Sequence, residues 1–242
     1  MVSSLFWLGA LASEIAGTIA GFGSSTLFLP ISLFFLDFQT ALVLVAIFHV
    51  FGNLGRITFF RHGFDKRLMM IFGLPAVVFT IVGALLVNSI PQVTLKFILG
   101  IFLLLYSITM LFKPSVSFPA TKKNSVIGGS ISGFLAGLIG TGGALRGAFL
   151  TAFNLKKEVY IATSAAIALA VDLTRIPIYI SGGFLPQEFY YFIPILFLLA
   201  ISGSFIGRKI VDRIPQARFK RLVLAAIALV SLKFIADGLV LF

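Results

Sequence analysis

The chain has 242 residues, of which 59% are hydrophobic and 11% charged, with a formal net charge of +11 and no cysteine. This composition excludes a water-soluble globular fold and predicts an all-α integral membrane protein. No disulfide or thiolate site is possible, and two histidines are too few ligands for a zinc site, so we expect no metal or cofactor. The basic charge is typical of residues that orient membrane segments and contact lipid, and we expect no nucleic acid partner.

Hydropathy predicts eight apolar segments, which cover residues 3–36, 38–60, 68–88, 92–112, 125–153, 159–181, 187–207 and 216–241. Residues 113–124, with two prolines and three lysines, form a linker between the first four segments and the last four. The chain thus divides into repeat 1–112, linker 113–124 and repeat 125–242.

The two sets of four segments are related by a duplication with an offset of about 119 residues. Gly21–Ser25 aligns with Gly140–Ala144, and Asn53-Leu54-Gly55-Arg56 aligns with Asp172-Leu173-Thr174-Arg175. Two homologous halves, each opening on a glycine-broken hydrophobic segment, are typical of secondary transporters.

The first segment of each half is expected to enter the membrane and return, because its shorter arm reaches only about the bilayer middle. If segments 3–36 and 125–153 do so and the other six cross, fourteen basic residues outside the spans share one face and only two, Lys96 and Lys233, lie opposite. Such a bias is expected of a cytoplasmic face, and it vanishes if all eight segments cross. We therefore predict two inverted repeats, each a re-entrant helical hairpin plus three transmembrane helices, with a cytoplasmic linker and both termini outside.

The two glycine breaks form the predicted substrate site near the membrane midplane. Each break precedes a half-helix whose first N–H groups lack intrahelical partners and carry partial positive charge, which favours an anion. Three further side chains, Asn53, Arg146 and Arg175, are predicted to bind the same anion from inside the membrane. The predicted residues of the breaks are Gly21, Gly23, Ser24, Ser25, Gly140, Thr141, Gly142 and Gly143.

Several of these residues have a structural interpretation as well. The glycines of the Gly-x-x-x-Gly pairs 17/21, 133/137 and 203/207 could serve only close helix packing. Arg146 could form an ion pair with Asp172, or Asp172 and Arg175 could neutralise each other. Arg175 and Arg56 each lie near the end of a helix, so the alternative for both is that the side chain extends outward to the membrane surface.

Two side chains are candidates for coupling transport to protons. His49 lies one turn before Asn53 and can titrate near neutral pH. Glu14 lies on the arm that leads to the first break. A histidine satisfied inside the protein, or a carboxylate held in an ion pair, is the structural interpretation of each.

Three stretches resemble the sulfite exporter TauE/SafE family: Glu14–Gly23 leading to Pro30, its second copy Gly133–Gly143, and Ala162-Thr163-Ser164. The resemblance implies a bacterial or archaeal inner-membrane transporter that exports small sulfur-containing anions such as sulfite, thiosulfate or organosulfonates. Ser24 and Ser25 stand where a longer glycine run is expected, which leaves the anion open.

Transport by alternating access is the predicted function, and an anion channel lined by the same helix ends is the alternative. An intramembrane enzyme would need Ser24 or Ser164 as nucleophile and His49 as base, with a third orienting group that the sequence does not provide. We therefore expect no enzymatic activity. The expected partners are a small anion and membrane lipid, and the sequence predicts no oligomeric state.

Overall fold

The structure, a computed structural model, describes residues 4–20, 23–59, 63–113, 118–211 and 216–239, without the side chains of 216–220 and 222. The described residues form helices and connecting turns and contain no strand, so the all-α prediction is confirmed for them. Gly21 of the predicted site lies outside the described residues, as do the predicted segment ends at 3, 60 and 241.

Eleven α-helices follow one another along the described chain: α1 (Ser4–Ala20), α2 (Ser25–Ser32), α3 (Phe38–Phe59), α4 (Lys66–Leu68), α5 (Leu74–Leu86), α6 (Gln92–Phe112), α7 (Lys122–Ile139), α8 (Gly143–Thr151), α9 (Lys157–Ser181), α10 (Phe192–Ile210) and α11 (Gln216–Leu239). A short 3-10 turn at Val87–Ser89 extends α5, and another at Gln187–Phe189 precedes α10. Among the described residues, five stretches are long and apolar enough to cross a membrane: Phe38–Phe59, Lys66–Ser89, Gln92–Phe112, Lys157–Ser181 and Gln187–Ile210.

Two helix pairs, α1 with α2 and α7 with α8, are separated by short breaks that contain glycine. Gly23 in the first break has φ +93° and Gly140 in the second has φ +76°, which glycine adopts without steric cost. The helices of each pair pack against each other. In the first pair, a Cβ on Gly17 would lie 2.5 Å from the Ser24 nitrogen. At 1.5 Å per residue α2 and α8 are about 12 and 14 Å long, too short to cross about 30 Å of hydrocarbon.

The helices of the first and second halves pack on each other in a reciprocal way. α1 packs against α10 and α7 against α5, so each broken helix pair lies against a long helix of the other half. The remaining large contacts join α3 to α9, α6 to α11 and α3 to α10. A Cβ on Gly133 would overlap the Ala76 carbonyl oxygen, and one on Gly203 would lie 2.8 Å from Glu14 Cβ. At these two positions the glycines do permit close helix packing, as the structural interpretation expects.

The structure differs from the hydropathy prediction at two helix ends. A π-helical turn, Met69–Gly73, joins α4 to α5, and the Leu74 N–H donates to Met69 O within it. Pro75 follows and has no N–H to donate, which interrupts the regular helical ladder at this point. α7 begins at Lys122, inside the predicted linker, because the Thr121 hydroxyl accepts a hydrogen bond from the Asn124 N–H and caps the helix.

Candidate functional site

The two breaks meet inside the protein. The hydroxyl oxygens of Thr26, in the first turn of α2, and Thr141, in the second break, are 2.9 Å apart, a hydrogen-bonding distance. Both side chains are buried. At the N-cap positions of α2 and α8, Ser24 and Gly142 make no side-chain capping bond. The first backbone N–H groups of both short helices are therefore left without a side-chain cap.

A small, partly open cavity lies beside these breaks. Three apolar residues, Ala136, Ala168 and Val171, form part of its wall. The rest of the wall consists of eight predicted site residues: Ser25, His49, Gly140, Gly142, Gly143, Arg146, Asp172 and Arg175. The structure thus brings residues of both breaks and of α3 and α9 to one cavity.

Arg146 borders this cavity from α8 and is only 4% exposed. Its Nε donates a hydrogen bond to Ser164 Oγ at 2.9 Å. Among the described residues, no carboxylate oxygen lies within 4.0 Å of its guanidinium, so the alternative of an ion pair with Asp172 is wrong. A buried guanidinium that lacks a carboxylate partner can bind an external anion.

Asp172 of α9 joins the two halves at the cavity. Its Oδ1 accepts a hydrogen bond from Arg175 Nε at 2.9 Å and lies 2.7 Å from Arg175 Nη2. Its Oδ2 lies 2.8 Å from His49 Nδ1 and accepts a hydrogen bond from Asn53 Nδ2 at 3.3 Å. Arg175 also donates to the Ala136 carbonyl at 2.6 Å. Arg175 is thus neutralised by Asp172, as one alternative expects, although it still lines the cavity. The alternative that Arg175 extends to the membrane surface is wrong, because it is only 1% exposed.

A second buried ion pair lies next to the first break. Arg56 of α3 donates from Nη2 to Glu14 Oε1 of α1 at 2.6 Å, from Nη1 to Asn53 Oδ1 at 2.6 Å and from Nε to Thr18 Oγ1 at 3.2 Å. Ser204 of α10 donates to the same Glu14 oxygen at 2.7 Å. The expectation that Arg56 extends to the membrane surface is wrong, because Arg56 is only 4% exposed and the Glu14 carboxylate holds it inside.

Comparison with known proteins shows which family the sequence matches. Residues 5–234 match the family model described as Sulfite exporter TauE/SafE. The chain belongs to the TauE/SafE family. It is similar to a probable membrane transporter protein of Methanocaldococcus jannaschii, with 29% identity over 238 residues that cover 88% of this chain and 87% of that protein. No solved structure matches the chain. This TauE/SafE protein is therefore a multi-pass membrane transporter for a small molecule, and the resemblance noted from the sequence is confirmed.

Three other described residues of the predicted site, Gly23, Ser24 and Thr141, do not line the cavity. Gly23 lies against His49, and a Cβ at this position would be 2.6 Å from His49 Nε2. The Ser24 hydroxyl accepts a long hydrogen bond, 3.4 Å, from Arg56 Nη2. Thr141 connects the two breaks through Thr26. These residues position the wall of the cavity and do not themselves border it.

Several side chains that bond directly to the predicted site were not predicted to belong to it: Thr18, Thr26, Arg56, Ser132, Ser164 and Ser204. The repeat offset is the signal for Arg56, because it aligns this residue with Arg175. Thr18 and Ser164 stand within the stretches that carry the TauE/SafE resemblance. No pattern in the sequence indicates Ser204, which comes from the opposite half.

The buried charges around the cavity of the TauE/SafE protein do not cancel. The described buried side chains include three guanidiniums, of Arg56, Arg146 and Arg175, and two carboxylates, of Glu14 and Asp172. With a neutral His49, one positive charge is in excess. Burial of an uncompensated charge costs several kcal/mol per ion, so an anion in the cavity would be stabilised there.

Proposed function

We propose that this TauE/SafE protein is a secondary transporter that exports sulfite, a related sulfur oxyanion or an organosulfonate across the inner membrane of a bacterium or archaeon. The anion binds at the cavity between the two breaks, and the two halves of the protein rock around it so that the site opens to one side at a time. The observation that carries the proposal is Arg146, a buried guanidinium without a carboxylate partner among the described residues, at the wall of a cavity that both breaks approach.

The helix ends at the breaks support an anionic substrate. α2 and α8 begin at these breaks without side-chain caps, and the hydrogen bond between Thr26 and Thr141 holds the two beginnings together. Each helix N-terminus carries a partial positive charge and free N–H donors. Together with the excess positive charge of the arginines, they favour a small oxyanion over a neutral or cationic substrate.

The reciprocal packing of the two halves supports an inverted repeat. In our proposal, α1 with α2 and α7 with α8 are re-entrant hairpins, and six helical stretches cross the membrane, including α11, whose 24 residues measure about 36 Å. The exchange of partners between α1–α10 and α7–α5 is what a pseudo-two-fold axis in the membrane plane would produce. The linker 113–124 is then cytoplasmic and both termini are outside, in accordance with the distribution of basic residues.

The proposal is tested by binding and flux measurements on the protein and its Arg146→Gln variant. In detergent, sulfite, thiosulfate or a small sulfonate at about 100 times its Kd should stabilise the wild type by about 2.7 kcal/mol, measured as a rise in Tm. Arg146→Gln should lose this rise and the flux into proteoliposomes. Arg221→Gln, which removes an exposed guanidinium, is the matched control and should retain both.

The result that contradicts this site is an Arg146→Gln variant that keeps both ligand stabilisation and flux. The same proteoliposomes distinguish a carrier from a channel with the same helix ends. Carrier flux saturates with anion concentration and responds to an imposed proton gradient, whereas channel flux is much faster and insensitive to that gradient.

A further inference from the structure

His49 presents one ring nitrogen to Asp172 and the other towards the first break. The side chain is 2% exposed and borders the cavity. Its Nδ1 lies 2.8 Å from Asp172 Oδ2. Neither ring nitrogen makes a hydrogen bond of good geometry among the described residues, so at Nδ1 the contact with Asp172 is one of distance and charge. Nε2 has no polar neighbour of this kind and faces the backbone of Gly23 so closely that no Cβ would fit there. A buried polar atom without a partner is costly, which indicates that something else completes this contact.

The contact with Asp172 determines which nitrogen of a neutral His49 carries the hydrogen. Arg175 contacts the Asp172 carboxylate through both Nε and Nη2, so the carboxylate is ionised and can only accept hydrogen bonds. At 2.8 Å from such an oxygen, an unprotonated Nδ1 would place its lone pair against those of the carboxylate, so this distance favours the hydrogen on Nδ1. Nε2 of the neutral ring therefore carries a lone pair, which repels an anion oxygen and accepts a hydrogen bond from an O–H group.

Protonation of Nε2 reverses this preference, because the nitrogen becomes a charged donor. The charged groups around the ring act in both directions. Burial and the charges of Arg146 of α8 and Arg56 of α3 oppose the imidazolium, whereas Asp172 of α9 stabilises it. Arg175 of α9 also borders the cavity and is paired with Asp172. The charge of Arg56 is largely offset by Glu14 of α1, which pairs with it. A bound anion would add a negative charge at the cavity and thereby favour the protonated ring.

We propose that His49 makes the cavity bind an anion only together with one proton, which is held either by the anion or by Nε2. A hydrogen oxyanion brings its own proton and donates its O–H to the neutral Nε2. A sulfonate has no such proton near neutral pH, and it binds when Nε2 takes a proton from solvent. This inference rests on the proposed anion site and adds to it a coupling of one proton to each anion and a specificity-determining role for His49.

The test measures proton uptake when methanesulfonate binds to the detergent-solubilised protein, with a pH-indicator dye in weak buffer. The wild type should take up about one proton per anion in the range where the ring is neutral before binding. Its affinity should then fall about tenfold per pH unit, since one proton is bound with the ligand. The His49→Gln variant has a neutral amide donor in place of the ring and should bind methanesulfonate with no proton uptake and no such pH dependence.

The outcomes separate this inference from the proposed function. Binding to the wild type without proton uptake overturns the role of His49 but leaves the anion site intact, as does a His49→Gln variant with the same uptake as the wild type. Failure of the wild type to bind methanesulfonate or sulfite at any pH overturns the anion site and the inference together. If His49→Gln does not fold, the wild-type stoichiometry still decides, because zero protons per bound anion contradicts the inference.

Discussion

Replacing Arg56 with methionine removes the charge that neutralises Glu14 inside the protein. Glu14 has no solvent exposure, and its Oε2 has no hydrogen-bond partner among the described residues. In the variant, only the hydroxyls of Thr18 and Ser204 would remain as donors to Oε1, at 3.3 and 2.7 Å. Methionine has a similar length and fills much of the same space, so the change isolates the charge and its hydrogen bonds.

The expected loss of stability follows from the burial of this pair. Breaking a buried ion pair by removal of one partner costs about 3–5 kcal/mol, because the other charge is left uncompensated. For a chain of this size, each kcal/mol shifts the Tm by about 2–4 °C, which gives a decrease of roughly 6–20 °C. The double variant Glu14→Gln with Arg56→Met should recover a large part of this decrease, since the uncompensated carboxylate is then absent.

The effect is measured by thermal unfolding of the wild type, Glu14→Gln, Arg56→Met and the double variant in one detergent. Unfolding is followed by intrinsic fluorescence or by size-exclusion chromatography after heating. Arg221→Met is the matched control, because it removes an exposed arginine and should change stability by no more than about 0.5 kcal/mol. An Arg56→Met protein that unfolds within about 2 °C of the wild type would refute the reasoning. A double variant less stable than Arg56→Met would also contradict it, because it would show that the Glu14 charge is not the source of the loss.

Two further predictions concern packing and orientation. Gly133→Val should prevent folding or strongly lower the yield of monodisperse protein in size-exclusion chromatography. The reason is that its side chain would overlap the Ala76 carbonyl between α7 and α5. The control Ile131→Val, at an exposed position of α7, should have little effect on that yield. Single cysteines at Lys122 and Lys156 in this cysteine-free chain should both react with an impermeant maleimide only from the cytoplasmic side, and labelling from opposite sides would contradict the proposed topology.

The sequence predicts the helical fold well, because a single physical requirement governs the membrane segments. Hydrocarbon requires long apolar helices with every backbone group satisfied internally, so hydropathy alone indicates an all-helical membrane fold. It does not indicate local helix geometry such as the π-helical turn Met69–Gly73, which depends on how the chain before Pro75 packs on its neighbours. The glycine breaks could be recognised because Gly23 and Gly140 adopt positive φ, which few other residues tolerate.

The partners of the buried charges could not be predicted in the same way. The position of Arg56 near a helix end suggested that its side chain reaches the membrane surface. Instead, Arg56 bonds to Glu14 and Thr18 of α1, and Ser204 of α10 donates to the same Glu14 carboxylate. Such contacts join residues as far as 190 positions apart and leave no periodic pattern. Likewise, Ser164 rather than Asp172 is the partner of Arg146, which depends on the relative rotation of α8 and α9.

The duplication also helps to separate framework from site. Arg56 and Arg175 occupy matching positions in the two halves, and each bonds to the broken helix pair of its own half. Arg56 bonds to Glu14 and Thr18 of α1, and Arg175 bonds to the Ala136 carbonyl of α7. These shared arginines hold the breaks in place.

The two residues on which our proposals depend, Arg146 and His49, differ between the halves. At the repeat offset, Arg146 aligns with Leu27 and His49 with Ala168, so neither charge has a counterpart in the other half. A fold with two related halves needs symmetric residues to keep both breaks alike, but one asymmetric anion needs donors and acceptors placed on particular sides. In our proposals, the guanidinium of Arg146, which has no carboxylate partner in the described part of the chain, and the ring of His49 meet that need. Both proposals therefore rest on residues that the repeat does not share.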